Sequence, residues 1–194
     1  MMIRHGPNGP CRVFLLLIAI TTGARIQTVC TLRLKHFERQ HPEKEKYLSI
    51  KVGLGTDVDT KNDTVYFLRM PNWVYQKIQI YIKSERYKKR FQNQKHIFKD
   101  ETSQYIFLTN RGTPYYVSKY DEYIGIYTKT IPNGNTIRQF LSVTLYRELE
   151  GKLKFRFHDL RATFAMNLLD SKIYMVEQGE MTLYELLSII KERM

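Results

Sequence analysis

Two short strand-like stretches, joined by a segment rich in turn-forming residues, constrain the fold of this chain more than any other feature. Tyr47–Val52 alternates apolar and polar side chains, and residues 64–68 are rich in β-branched and aromatic types. Residues 53–63 between them contain glycine, aspartate and asparagine, which favour turns. The two stretches therefore predict an antiparallel β-hairpin.

The other apolar patterns are mostly helical. Residues 11–21 form an apolar run too short to span a bilayer, and a helix-like pattern follows it at once, so we expect a buried core helix instead of a signal peptide. Pro71 suits the first turn of a further helix, and residues 105–109 favour a short strand. Three more segments have helical character: residues 117–129, 136–150 and 182–194. The predicted fold class is α+β, mostly helical, with a small antiparallel sheet.

Length and composition favour one domain without a cofactor. The chain has 194 residues, of which 43% are hydrophobic, and no repeat or low-complexity linker divides it. We therefore predict a single domain over residues 1–194. Two cysteines provide no disulfide framework, which favours a cytoplasmic protein. The sequence has neither a metal-ligand cluster nor a glycine-rich phosphate loop, so we expect no metal and no cofactor.

The charge balance points to a polyanionic partner. The net charge is +12 and the pI is about 9.6, which makes nucleic acid the first candidate and gives no reason to expect a membrane partner. The excess is concentrated in one stretch, where aromatic residues are interleaved with the charges. We predict DNA-backbone contacts for its lysines and arginines: Lys83, Arg86, Lys88, Lys89, Arg90 and Lys95. The alternative is a solvated, charged helix end.

Two arginines that lie far apart in the sequence stand in suggestive local patterns. Arg25 ends the sequence TGAR (residues 22–25), and Arg161 ends the sequence HDLR (residues 158–161). Two guanidiniums present planar forks of donors that match phosphate oxygens, and His158 is one helical turn before Arg161. The three side chains could therefore form a cage for one phosphodiester.

The two patterns together resemble the arginine boxes of the tyrosine recombinase (phage integrase) family, in the family's usual order. The resemblance covers roughly residues 10–194 and is most specific over residues 158–165. It implies the fold of that family's catalytic domain, with Arg25, His158 and Arg161 bound to the scissile phosphate. In the family an acidic residue often follows the first arginine by three positions, and this chain has Thr28 there. The chain therefore lacks that local partner for a nearby positive charge.

The resemblance also implies a lysine on a hairpin after the first box, which protonates the leaving oxygen as a general acid. Lys61, just before the second predicted strand, is the best match, and Lys51 is the second choice. A solvated loop lysine is the alternative for Lys61.

The family's nucleophile is a tyrosine near the C-terminus of the domain. Tyr184 lies on an apolar helical pattern with Leu183, Leu187 and Ile190, so we predict a structural role for it. The chain is accordingly expected to be a catalytic domain without its nucleophile segment and without the N-terminal domain that clamps DNA in the family.

The function implied by the resemblance is site-specific DNA recombination or integration through a phosphotyrosyl intermediate. The expected partner is double-stranded DNA, on which the full-length protein would form a homo-oligomer. We expect a cytoplasmic protein, bacterial or phage-encoded and associated with the nucleoid. A non-enzymatic basic nucleic-acid-binding domain and a type IB topoisomerase-like enzyme are the alternatives.

Overall fold

The computed structural model describes residues 9–38, 45–94, 98, 100–121 and 130–193. This part of the chain is α+β and mostly helical, with a two-stranded antiparallel sheet, in agreement with the predicted fold class. None of the helices in these ranges is long and apolar enough to cross a lipid bilayer. The predicted DNA contact Lys95 and residues 122–129 of one predicted helix lie outside the described residues.

The helices of the described ranges are distributed along the whole chain. They are α1 (Gly9–Thr22), α2 (Ile26–Cys30), α3 (Asn72–Lys83), α4 (Glu85–Gln94), α5 (Asn135–Gln139), α6 (Tyr146–Glu148), α7 (Asp159–Asp170), α8 (Ile173–Glu177) and α9 (Leu183–Arg193). Short 3₁₀ turns lie at Leu34–Phe37, Lys61–Asp63 and Glu101–Ser103.

The predicted hairpin is present. Strand β1 (Tyr47–Val52) pairs with strand β2 (Tyr66–Pro71), and Ile50 is opposite Leu68. β2 therefore begins two residues later than the sequence pattern indicated and continues to the start of α3. Side chains alternate across the sheet, so Ile50 and Leu68 are buried while Phe67 faces outward. The sheet contributes one face to the core.

Helix α1 lies at the centre of the core, as its apolar sequence predicted. Cys11, Leu15, Ile18 and Ala19 on one side of it are completely buried. The helix packs against α7, β2, α2 and α3. Burying one large aliphatic side chain contributes about 1.5–3 kcal/mol, so this face of α1 stabilises the whole domain.

The strand predicted at residues 105–109 is not a paired strand. The segment is buried, but its backbone forms only isolated bridges, from Tyr105 to Arg33 and from Leu108 to Pro114. Side chains supply other partners, since Arg90 donates to the Leu108 carbonyl oxygen at 3.0 Å. No neighbouring segment in the described ranges runs alongside it for long enough to form a ladder.

The helix predicted to begin at Val117 does not begin there. The Val117 amide donates to the Pro132 carbonyl at 3.0 Å, and the Ser118 amide donates to the Tyr105 hydroxyl at 2.7 Å. These amides are used for tertiary contacts, so residues 117–121 are not helical.

The helix predicted over residues 136–150 is present but contains an expanded turn. Between α5 and α6 the backbone is π-helical over Phe140–Leu145. After α6 the chain turns at Glu150 and Gly151, which both have positive φ, and the Gly151 amide donates to the Tyr146 carbonyl at 2.9 Å. The predicted end near Gly151 is therefore confirmed, with a left-handed cap.

The C-terminal helix is confirmed, but its predicted packed face is wrong. Leu186 is the fully buried residue of α9, which packs against β2 and α7. Tyr184 is 83% exposed, and Leu183 and Leu187 are also exposed. Two helical positions correspond to a rotation of about 200°, so the burial of Leu186 turns Tyr184 toward solvent. Apolar residues occupy most of this helix, and periodicity alone could not choose between the faces.

Candidate phosphate-binding site

Arg25 lies at the turn between α1 and α2, where the first arginine box was predicted. α1 ends at Thr22, and Arg25 has an extended backbone (φ −75°, ψ 157°) immediately before α2. The turn is fixed by Thr22, whose hydroxyl donates to the Ile18 carbonyl at 2.6 Å and accepts the Ala24 amide at 3.3 Å. The helix end therefore holds the backbone of Arg25 in one position.

Gly23 brings the two arginine boxes into direct contact. It has a φ of +69°, which favours glycine, and its Cα faces the ring of Phe164 on α7. A Cβ atom at position 23 would be 2.6 Å from Cδ1 of that ring. The close approach is possible only without a side chain, so Gly23 sets the distance between α7 and the α1–α2 turn.

The second box lies at the start of α7. His158 precedes the helix and is exposed, whereas Arg161, one turn later, is only 3% exposed. The Asp159 carboxylate accepts the Arg156 amide at 2.7 Å, which satisfies a backbone donor near the helix start. This hydrogen bond and the neighbouring cations lower the pKa of Asp159.

Arg25, His158 and Arg161 line one cavity of about 370 Å³. The convergence that the two boxes predicted is therefore present in the fold. Two further arginines, Arg138 and Arg156, line the same cavity. The remaining lining residues, mostly apolar, are Ile26, Gln27, Leu141, Ser142, Phe155 and Phe157. No acidic side chain lines this cavity among the described residues.

The two box arginines influence each other electrostatically. Burial and, after it, the positive charge of Arg25 lower the pKa of Arg161. Burial raises the pKa of the Tyr66 hydroxyl, and the hydroxyl of Thr28 and the charges of Arg161 and Arg25 oppose that rise. A cavity with this electrostatic potential favours an anion.

The predicted lysines do not line the cavity. Lys61 is exposed in the 3₁₀ turn between β1 and β2, and Lys51 is exposed on β1 opposite Phe67. The turn is held by Asp63, which pairs with Lys119 and accepts the Tyr120 hydroxyl at 2.9 Å. The catalytic role of Lys61 stays a prediction.

Thr28, at the position where the family often has an acid, anchors the hairpin connection. Its buried hydroxyl donates to the Asp59 carbonyl at 2.8 Å. The buried Asp59 carboxylate accepts the Ser118 hydroxyl at 2.6 Å and the Lys119 amide at 3.2 Å. A buried carboxylate close to the first box thus comes from another part of the chain.

The basic stretch divides into exposed and buried residues. Lys83 at the end of α3, and Arg86, Lys88 and Lys89 on α4, are exposed and remain candidates for DNA contacts. The prediction for Arg90 is wrong. Arg90 is 4% exposed and donates to the Leu108 carbonyl at 3.0 Å and to Asn110 Oδ1 at 2.8 Å, so it ties α4 to the core.

The aromatic residues between these charges are also structural. Tyr87 is buried and contacts Tyr81 and Phe91, with ring centroids 5.5 and 5.7 Å apart. Phe98 packs edge-on against Tyr105. Tyr87 and Phe91 join α4 to the core, and all three rings pack against other aromatic rings, which favours a structural role over stacking on bases.

Sequence reasoning missed Arg138, Arg156 and Tyr66. The alternation of β2 could have placed Tyr66 on the inward face with Leu68 and Met70. Nothing in the sequence distinguished Arg138 and Arg156 from other exposed arginines, because only the tertiary fold brings them to the cavity.

No family model, curated protein or solved structure gives a significant match to the chain. Among the described residues there is also no group of three or more histidine, cysteine or acidic side chains that could hold a metal ion.

Proposed function

We propose that this chain is the phosphate-binding core of a DNA strand-exchange enzyme that resembles tyrosine recombinases and acts on duplex DNA. The observation that supports the proposal is the cavity shared by Arg25, His158 and Arg161. The charges of Arg25 and Arg161 act on the same cavity and would attract the negative charge of a phosphodiester.

The proposed chemistry is phosphoryl transfer assisted by fixed positive charge. Arg25 and Arg161 would bind the non-bridging oxygens of the scissile phosphate and stabilise the charge that develops on them. His158, exposed at the mouth of the cavity, would donate a hydrogen bond to the same phosphate or transfer a proton near neutral pH. Lys61 would protonate the leaving 5′ oxygen after the hairpin connection approaches bound DNA.

The nucleophile of the proposed reaction is a tyrosine hydroxyl. Its oxygen would attack phosphorus, the bond to the 5′ oxygen would break, and the resulting 3′-phosphotyrosyl link would conserve the energy needed for rejoining. None of the described residues that line the cavity is a tyrosine, and the exposed Tyr184 is not among them. We therefore expect no covalent adduct between this chain and a nicked suicide DNA substrate.

A basic domain that binds nucleic acid without cutting it is the second candidate, and it needs no tyrosine in the cavity, where the described lining residues include none. The two functions differ in the geometry of the bound phosphorus atom that the arginines should stabilise. An enzyme stabilises five-coordinate phosphorus more than the ground state, whereas a binding domain has no reason to do so.

Orthovanadate, which readily becomes five-coordinate, tests this difference against inorganic phosphate. For an enzyme we expect orthovanadate to bind at least about 100-fold more tightly, measured by competition with a fluorescent oligonucleotide. Arg25→Gln should remove the preference, whereas Arg147→Gln, a change at an exposed residue outside the cavity, should retain it. Equal affinities for the two anions in the unmodified protein would favour the binding domain.

A further inference from the structure

The cavity carries more positive charge than one phosphodiester requires. Arg25, Arg138, Arg156 and Arg161 all line it, together with His158. A phosphodiester has a single negative charge, and the two box arginines already supply enough donors for its two non-bridging oxygens. The other two arginines therefore need a separate explanation.

Arg156 is partly neutralised within the protein. Its guanidinium is 3.3 Å from the Asp159 carboxylate, and its backbone amide donates to the same carboxylate. The positive charge of Arg156 is therefore partly compensated by Asp159, three residues later. This ion pair at the start of α7 accounts for Arg156 without a second phosphate.

Arg138 differs because both of its hydrogen-bond partners are neutral. Its Nη1 donates to the Asn133 carbonyl at 3.2 Å and to Asn135 Oδ1 at 2.6 Å. No carboxylate among the described residues forms an ion pair with it. The guanidinium is thus held in place while it keeps its full charge, and its Nε and Nη2 groups remain available as donors.

The turn that holds Arg138 is joined to the first arginine box. Gly134 begins α5 with a φ of +85°, and a Cβ there would be 3.0 Å from Cδ1 of Ile26, the neighbour of Arg25. The following π-helical turn supplies Leu141 and Ser142 to the cavity wall. π-helical turns are rare and occur frequently at functional sites.

We infer that Arg138 binds the phosphate next to the scissile one, so that the cavity accepts two consecutive phosphates of one strand. This inference rests on the proposed function, because it takes Arg25 and Arg161 as the site of the first phosphate. The ligand is a polynucleotide strand, recognised by the spacing of its backbone charges and not by its bases.

Short oligonucleotides test the inference without a known target sequence. The full chain is titrated, with NMR detection, with a thymidine dinucleotide, which has one phosphodiester, and with a trinucleotide, which has two. The trinucleotide can place either of its two phosphodiesters in one site, and this choice alone raises its affinity twofold over that of the dinucleotide. We expect the trinucleotide to bind about fivefold more tightly, since one exposed charge pair contributes about that factor.

Two changes should reduce this fivefold ratio. Arg138→Gln should reduce it to about two, the statistical value. A trinucleotide in which one linkage is a neutral methylphosphonate has a single charged linkage, so it should bind the unmodified protein about as tightly as the dinucleotide does. Arg147→Gln is the matched control and should keep the fivefold ratio. A ratio of two or less in the unmodified protein, or an unchanged ratio in Arg138→Gln, would overturn the inference.

The same titrations separate this inference from the proposed function. If Arg25→Gln leaves binding of the dinucleotide intact, the first phosphate is not at the box arginines and both proposals fail. If Arg25→Gln weakens the dinucleotide but Arg138→Gln leaves the ratio unchanged, only the two-phosphate inference fails.

Discussion

The cavity lined by Arg25 and Arg161 and the basic helix α4 each contain one buried arginine, and the two side chains have different neighbours. Arg90 on α4 donates to a backbone carbonyl and to an asparagine amide oxygen. Arg161 in the cavity is equally buried but lies beside Arg25, and its pKa is lowered by burial and by that neighbour. Oxygen atoms of Leu108 and Asn110 accept hydrogen bonds from Arg90, whereas burial and the charge of Arg25 act on Arg161.

This difference indicates how folding assigns roles to residues of one type. A buried arginine with carbonyl and amide acceptors is explained by stability alone, because its desolvation is offset within the chain. Arg161 lines a cavity with Arg25, and no acidic side chain among the described residues lines it, an arrangement that favours an anion. Basic composition predicted a polyanionic partner, but burial and hydrogen-bond partners are needed to separate candidate binding residues from structural ones.

The largest loss of stability is expected from Gly23→Ala, which disturbs the contact beside the cavity and leaves α4 unchanged. The new methyl group would overlap the ring of Phe164, and alanine disfavours the positive φ, so we expect a loss of about 2–4 kcal/mol in unfolding free energy. Chemical denaturation measures it. Gly55→Ala is the matched control, because Gly55 has a φ of +79° but open space around it, and should show only the smaller backbone cost. Equal losses at both glycines would contradict the close contact between the boxes.

The next effect is expected from Arg90→Met, which tests the structural side of the comparison. It leaves the Leu108 carbonyl and the Asn110 amide without this donor, and should cost about 1–3 kcal/mol in unfolding free energy. DNA affinity of the folded protein, measured by fluorescence anisotropy, should stay unchanged.

Lys89→Gln on the exposed side of the same helix is the opposite case. Stability should stay unchanged, while the slope of log affinity against log salt should fall by about one unit. A loss of DNA affinity in Arg90→Met with normal stability would contradict the assignment of Arg90.

A smaller effect, of opposite sign, is expected from Arg25→Gln. Removing one of two neighbouring like charges should stabilise the free protein by about 0.5–1 kcal/mol, the usual size of a partly screened charge pair. Phosphate or sulfate should raise the Tm of the unmodified protein but not that of the variant, because an anion bound only to the folded state stabilises it. A destabilised variant would show that Arg25 serves structure, as Arg90 does.

The smallest effect is expected from Tyr66→Phe, next to the cavity. The Tyr66 hydroxyl is buried and makes no hydrogen bond of normal geometry with a described residue, so its loss should change the unfolding free energy by less than about 0.5 kcal/mol. Unchanged phosphate affinity in Tyr66→Phe would indicate that the anion contacts the arginines and His158 but not Tyr66. A marked loss of affinity would add Tyr66 to these contacts.

The sequence predicted features that depend on local pattern and failed where tertiary packing decides. β1 follows from the alternation of apolar and polar residues, and the core helix α1 follows from an apolar run too short to span a bilayer. The buried face of α9 could not be predicted, because the apolar residues of α9 itself lie on most sides of the helix. Residues 105–109 have a strand-like composition, but pairing requires a neighbour that only the fold supplies.

The site shows the same division between local and tertiary information. The two boxes identified Arg25, His158 and Arg161, and the structure brings these three residues together. Arg138 lies on α5, within a helix that the sequence predicted, but nothing in the local pattern marked it as a cavity residue. Arg90 lies in a basic stretch typical of a DNA contact but has the environment of a core residue. Neither assignment is accessible without knowing what each guanidinium contacts.

The contact between Gly23 and Phe164 also bears on how often the cavity opens by thermal fluctuation. The Gly23 amide donates to the Ala19 carbonyl at 2.9 Å, and Ala19 is completely buried in α1. Separating the boxes therefore requires breaking contacts between α1 and α7 as well as the contact between Gly23 and Phe164. We expect the cavity to open less often than an exposed helix end frays, because such an end has fewer contacts to break.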